Sequence, residues 1–300
     1  MDPLEGCDPD PADVSEPDAE ASSFGRPSPA SSVDPPLRSA SEPSEGSYRA
    51  EGGTVGWLAL RAATVTGVRH RLSGSGNEDC YAWASVPGQV AVAVTDGVGT
   101  VPGSAAAARL VAVTAAASAL AGGPDADGPA GRAVVSAQSR LEQVFACDGS
   151  TGATGATTLV VAVVQRDGAV ELARVGDSTA FLIRSGDSGW EEVFEAPAGG
   201  TDQVAVETSA LSGNPVHRRD ASAGPEIEVV RVSLRDGDVL AVVTDGIAGP
   251  WRDGPLTVAQ AMVDRLGARP TPLDLAALAD FSRQGCHDDR TVVALWRCGH

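Results

Sequence analysis

The chain has 300 residues, 42% of them hydrophobic, and a formal net charge of −18. That is enough apolar material for one large domain or two small ones. An acidic chain with no lysine beyond residue 50 is a poor nucleic-acid binder, because phosphate backbones are held by clustered cations. No apolar run reaches the roughly 18 residues of a membrane span, and no basic segment followed by an apolar one marks a secretory signal. Five cysteines without CxxC pairing suit neither a disulfide framework nor a cysteine–zinc site, so the cytoplasm is the expected compartment.

Residues 1–52 hold most of an acidic, Pro/Ser-rich stretch. The first 50 residues carry eleven acidic side chains against three arginines, and nine of the twenty prolines. Such a segment buries too little to offset its chain entropy and reads as a disordered tail. From Gly53 strand and turn signals alternate. Trp57 to Val68 and Cys80 to Val86 are expected as strands, with a polar loop at 74–79. Gln89 to Gly99 then runs apolar up to Thr95-Asp96-Gly97. A helix is expected after Gly103, ending at Gly122-Gly123-Pro124, and another over Ala130 to Ala146 with Val134, Leu141, Val144 and Phe145 on its buried face.

Three runs (157–164, 169–175 and 179–183), joined by Arg166-Asp167-Gly168 and Gly176-Asp177-Ser178, read as a meander. Residues 185–225 read as a functional flap, being too long for a plain connection. The strand pair Ile227 to Val232 and Val239 to Val243 returns to the core, the second strand ending at Thr244-Asp245-Gly246. Helices near 256–266 and 272–283 precede a final strand, Thr291 to Trp296, which follows His287-Asp288-Asp289-Arg290. Strand runs separated by helix pairs, without regular βα alternation, predict an α+β sandwich.

Three carboxylate-bearing strand ends far apart in sequence suggest a metal site. Oxygen-rich ligands select Mg²⁺ or Mn²⁺ rather than zinc, and the four histidines are scattered. Asp96 could bridge two ions, Gly97 could offer its carbonyl, and Asp245 with Asp288 could complete the second site. Any one Asp-Gly is more simply a turn or a helix cap, as at Asp148-Gly149, Asp167-Gly168, Asp236-Gly237 and Asp253-Gly254. Likewise Asp177 reads as a turn former, Asp289 as solvated or capping, Glu191, Glu192 and Glu195 as a solvated face, and Cys80 and Cys298 as buried small residues.

Taken in order, Gly76-Asn77-Glu78-Asp79, Thr95-Asp96-Gly97-Val98-Gly99, Gly155-Ala156-Thr157-Thr158-Leu159, Gly176-Asp177-Ser178, Gly237-Asp238 leading to Thr244-Asp245-Gly246, and Asp288-Asp289-Arg290-Thr291-Val292-Val293 resemble the bacterial branch of the type 2C (PPM) metal-dependent serine/threonine phosphatases. The resemblance covers nearly all of residues 60–297. It implies a four-layer αββα sandwich, two antiparallel sheets flanked by helix pairs, over residues 53–300. It also implies two Mn²⁺ or Mg²⁺ ions, with a third in bacterial members, and direct attack by a metal-bridging hydroxide on a phosphorylated protein substrate supplied by a Ser/Thr kinase pathway. By position Asp96, Gly97, Asp245 and Asp288 match metal ligands, and Glu78 with Asp79 match the acidic pair that orients metal-bound waters. Ala210-Leu211-Ser212-Gly213 looks like the segment closing the flap.

Departures from the family pattern are specific. The phosphate-binding arginine expected four residues before Glu78 is Gly74 here, with His70 or Arg71 as candidate substitutes. His70 reads equally as a solvent-facing loop residue. Val98 stands where some eukaryotic members have a histidine, Thr179 replaces an arginine, and Asp148 is the nearest candidate for a third metal. The missing arginine motivates an alternative, a pseudo-phosphatase serving as a phosphoprotein-binding regulatory module. A metal-dependent nuclease is a third reading, disfavoured by the acidic surface.

Overall fold

A computed structural model describes residues 37–40, 48–122, 128–147, 154–194, 210–213, 225–253, 256–281 and 285–299. All lie within one compact unit, Asp34–His300. The two large sheets are antiparallel. The first runs β1 (Leu37–Ala40), β4 (Asp79–Val86), β5 (Gln89–Asp96), β7 (Leu159–Gln165), β8 (Ala169–Val175) and β12 (Glu228–Ser233) from edge to edge. The second runs β10 (Glu191–Glu192), β9 (Thr179–Ile183), β13 (Val239–Val243), β14 (Arg290–Arg297), β3 (Leu58–Val65) and β2 (Tyr48–Val55). A short pair joins β11 (Leu211–Ser212) to β6 (Ala156–Thr157).

Period-two alternation builds the layers. On β5, Val90, Val92 and Val94 join Leu60, Leu182, Leu240 and Leu295 in the core between the sheets. Ala91 and Ala93 face the other way, against the alanine-rich helix α2 (Ser104–Ser118) and against α3 (Gly128–Cys147). The second sheet's outer face carries α4 (Asp245–Asp253), α5 (Leu256–Gly267) and α6 (Pro272–Ala279) over Phe181, Ala241, Val243 and Trp296. The expected four-layer α+β sandwich is the observed fold. No helix among the described residues is long and apolar enough to cross a membrane.

Several elements differ from the sequence reading. The boundary at 52/53 falls inside β2, which pairs along its whole length with β3. Gly52 is needed there because a Cβ would lie 2.4 Å from Cδ of Arg61, which reaches across to donate to the Gly53 carbonyl. Residues 68–73 form a short helix, α1 (Val68–Ser73), instead of strand and loop. The expected meander is not one, since β7 and β8 lie in the first sheet and β9 in the second. Gly176-Asp177-Ser178 therefore carries the chain between sheets. Val144, expected inside, is 38% exposed. Asp148, Glu195 and most of the 185–225 segment lie outside the described residues.

Candidate active site

The site is assembled from strand ends. Asp79 opens β4 and stands opposite Asp96, which closes β5. Two threonines of the Gly-Ala-Thr-Thr segment fix the Asp96 backbone. Thr157 Oγ1 and Thr158 N both donate to its carbonyl at 2.8 Å, and its own N–H donates to Thr158 Oγ1 at 3.1 Å. Thr158 Oγ1 is in turn 2.8 Å from Ser178 Oγ, tying in the chain crossing between the sheets. The two Thr-Asp-Gly threonines anchor different things. Thr95 Oγ1 reaches the carbonyls of Cys80 and Ala108, so α2 is pinned to the strand. Thr244 Oγ1 donates to Asp79 Oδ2 at 2.8 Å and accepts from Thr291 N. The buried hydroxyls of Thr95, Thr157, Thr158 and Thr244 thus all gain partners on formation of the sandwich.

Asp289, read as solvated or capping, is buried at 2% exposure. Its carboxylate accepts from Gly67 N (2.6 Å) and Glu78 N (2.7 Å) and pairs with His70 Nδ1 (2.8 Å). It therefore joins the segments that carry His70, Glu78 and Asp288. Glycines make this approach possible. A Cβ on Gly67 would lie 2.4 Å from the His287 carbonyl oxygen and the Asp288 carbonyl carbon. Gly67→Ala is expected to push the 287–288 segment outward and cost about 2 kcal/mol, read as a fall in the denaturant midpoint with unchanged slope.

Arg69, His70, Glu78, Asp96, Gly97, Thr158, Asp177, Asp245 and Asp288 line one cavity of about 190 Å³, together with Val98, Gly99 and Thr100. Six of the sequence-predicted residues thus converge on this cavity, with Asp79 bonded into the strand ends behind. Arg71 is not on the wall; it donates to Asp280 Oδ1 at 3.1 Å, at the end of α6. The sequence reading missed Arg69, which is exposed on the wall, and Asp177. Glu192, read as solvated, accepts from Thr179 Oγ1 and pairs with Arg252.

Electrostatics define what this cavity can hold. Burial, then neighbouring carboxylates, push Asp79 and Asp96 well above the usual carboxylate range. Burial and the Asp177 charge push Asp245 up to about 6, and burial raises Glu78 and Asp177. Oε2 of Glu78 and Oδ1 of both Asp79 and Asp245 are buried acceptors without a donor. Such oxygens are costly unless a cation or a proton meets them. Among the described residues no three His, Cys, Asp or Glu side chains form a closed ligand group, but the donor set is all oxygen and fits hard divalent ions.

Comparison of the sequence with curated proteins finds no match. Among solved structures, the chain is similar to the Mycobacterium tuberculosis serine/threonine phosphatase PstP/Ppp (TM-score 0.54, 21% identity, covering 81% of this chain and 99% of that one). It is equally similar to the PstP catalytic domain in complex with two manganese ions (0.53, 21%, 81% and 99%). A bacterial serine phosphatase gives 0.56 at 19% identity, over 80% of this chain and 98% of that one. At these identities the likeness is one of fold, and it agrees with the two-sheet architecture described above. Residues 66–280, which run from the segment before Arg69 to the end of α6, match the model of the family described as Protein phosphatase 2C, and the chain belongs to that family.

Proposed function

We propose that the protein is a metal-dependent phosphatase of phosphoserine and phosphothreonine proteins, acting in the cytoplasm opposite a Ser/Thr kinase. The observation carrying this reading is the convergence of donor-less buried carboxylate oxygens with an arginine on one small cavity. Asp96, the Gly97 carbonyl, Asp245, Asp288 and Glu78 are the groups that would hold two Mn²⁺ or Mg²⁺ ions, with Asp79 supporting them from behind. When bound, such ions activate water and offset the charge of a phosphoryl group. Arg69 supplies the cation for the phosphate dianion, in the role sought from His70 or Arg71. The pseudo-phosphatase alternative rested on the lack of that cation, and Arg69 on the wall supports the catalytic reading over it.

The test is hydrolysis of a phosphothreonine peptide by the full chain, because β1 and β2 begin upstream of residue 53. Release of phosphate with Mn²⁺ or Mg²⁺ and none in EDTA supports the reading; measurable Mn²⁺ binding without turnover overturns it. Arg69→Ala is expected to lower kcat/KM by about 30-fold, the ~2 kcal/mol of a charged hydrogen bond to phosphate. Arg71→Ala removes only a half-exposed pair with Asp280 and should cost less than about threefold.

A further inference from the structure

We propose that His70, held by Asp289, delivers the proton that the leaving serine or threonine oxygen takes up when the phosphate ester breaks. This deepens the phosphatase reading and rests on it.

The geometry is that of an anchored imidazole. His70 Nδ1 lies 2.8 Å from Asp289 Oδ2, and the ring forms part of the cavity wall with its side chain 12% exposed. Asp289 is itself immobilised by the N–H groups of Gly67 and Glu78, which come from two other segments. With Nδ1 engaged, Nε2 is the ring nitrogen left to meet a ligand. A protonated imidazole donates from both nitrogens, Nδ1–H to Asp289 and Nε2–H outward. The charged groups around it are Arg69 on its own helix, Glu78, Asp288 and Asp289.

Among the described residues that line the cavity, His70 is the one imidazole, and the carboxylates beside it are the groups that would hold the metal ions. Arg69 does not release a proton, and Val98, directly after Asp96-Gly97, has none to give. An alkoxide is a poor leaving group, so proton donation to it is worth about 10²- to 10⁴-fold. The step balances simply. The bond from phosphorus to the serine or threonine oxygen breaks as one from a water oxygen forms. The Nε2 proton passes to the leaving oxygen, and the proton shed by the water restores His70. The products are the free hydroxyl side chain and hydrogen phosphate. Asp289 is a positioning residue in this step, since it acts through the ring.

The experiment compares leaving groups in the Mn²⁺-loaded full chain. Rates are taken per Mn²⁺-binding molecule, so misfolded protein does not count. His70→Asn is expected to lower kcat about 10²-fold on a phosphothreonine peptide but less than about tenfold on p-nitrophenyl phosphate, whose leaving group needs no proton. Across substituted phenyl phosphates, the dependence on leaving-group acidity becomes steeper. His70→Gln and Asp289→Asn should give the same split between the two esters. A second measurement uses the wild type alone: kcat on the peptide slows in D₂O more than kcat on the aryl ester. Equal losses on both esters, or no loss on either, would overturn the proposal while leaving the phosphatase reading intact. A wild type that hydrolyses neither ester sinks both.

Discussion

Replacing Asp96 by asparagine is expected to reduce turnover by more than about 10⁴-fold, some 5 kcal/mol of transition-state stabilisation, and at the same time to stabilise the metal-free protein. Both effects come from one carboxylate. Asp96 sits where a strand end, two threonines and the neighbouring Gly97 leave no freedom for another anion to take its place. A Cβ on Gly97 would lie 2.9 Å from the Glu78 carbonyl and 3.0 Å from backbone of Ser104, so the backbone cannot shift to recruit a different ligand. The amide keeps the shape of the side chain but loses the charge that would draw two cations together. In the apoprotein that same charge is a burden, because burial and the carboxylates of Asp79, Asp245 and Asp288 all oppose its ionisation. Removing it is expected to raise the melting temperature in EDTA by about 3 °C, the amount ~1 kcal/mol gives in a domain of this size. Activity retained above about 1%, or a lowered melting temperature, would contradict the assignment. Gain of stability with loss of function is the usual mark of a strained active site.

The frame of the site was legible because strands ending in Asp-Gly announce themselves. The alternation in β5 and the apolar run of β13 place Asp96 and Asp245 at sheet ends, and the strand register, which the sequence reading did not address, sets Asp79 opposite Asp96. The parts that were not legible are held by contacts remote in sequence. Helix α1 has six residues and buries none of its side chains, so it leaves no apolar periodicity to read. It is fixed instead by His70 to Asp289 and Arg71 to Asp280, more than 200 positions away.

The extra helix also sets the arginine of the cavity wall away from the position where the sequence reading sought one. Counting back four residues from Glu78 lands on Gly74, beyond α1, whereas Arg69 stands near its start. The Gly-Val-Arg run at 67–69 was the available signal. Asp289 looked dispensable beside Asp288 because nothing local reveals its three distant donors. Asp177 looked like a turn because it is one, with Gly176 at φ +100°; that the turn passes between two sheets, beside Asp245, depends on strand order. Helix α4 was missed because Pro250 falls inside it, a residue that normally argues against helix.

Stability of the metal-free protein is expected to rise as pH falls from about 7 towards 4, the reverse of ordinary acid denaturation. Asp245 has its pKa pushed from 3.8 to about 6 in the folded chain. Above pH 6 both folded and unfolded chains are ionised there, and the folded state carries the whole penalty. Between the two values the folded state binds the proton first, so the penalty shrinks as pH falls, and below 3.8 it is gone. The difference is worth ~3 kcal/mol from Asp245 alone, and Asp79 and Asp96 act in the same direction. Asp238 opposes them. Its burial is outweighed by the N–H groups of Ser185 and Arg235 and by the Arg184 guanidinium, so its pKa is lowered. The stability it contributes is present at neutral pH and is lost only as pH falls below its usual value, at the acid end of the window. Denaturation midpoints in EDTA should therefore be higher at pH 5 than at pH 7. With saturating Mn²⁺ the slope should invert, because protons then compete with the cation for the same oxygens. A midpoint in EDTA that falls on acidification would mean that these carboxylates do not repel one another in the folded chain, and the physical argument for a cation site among them would fail with it.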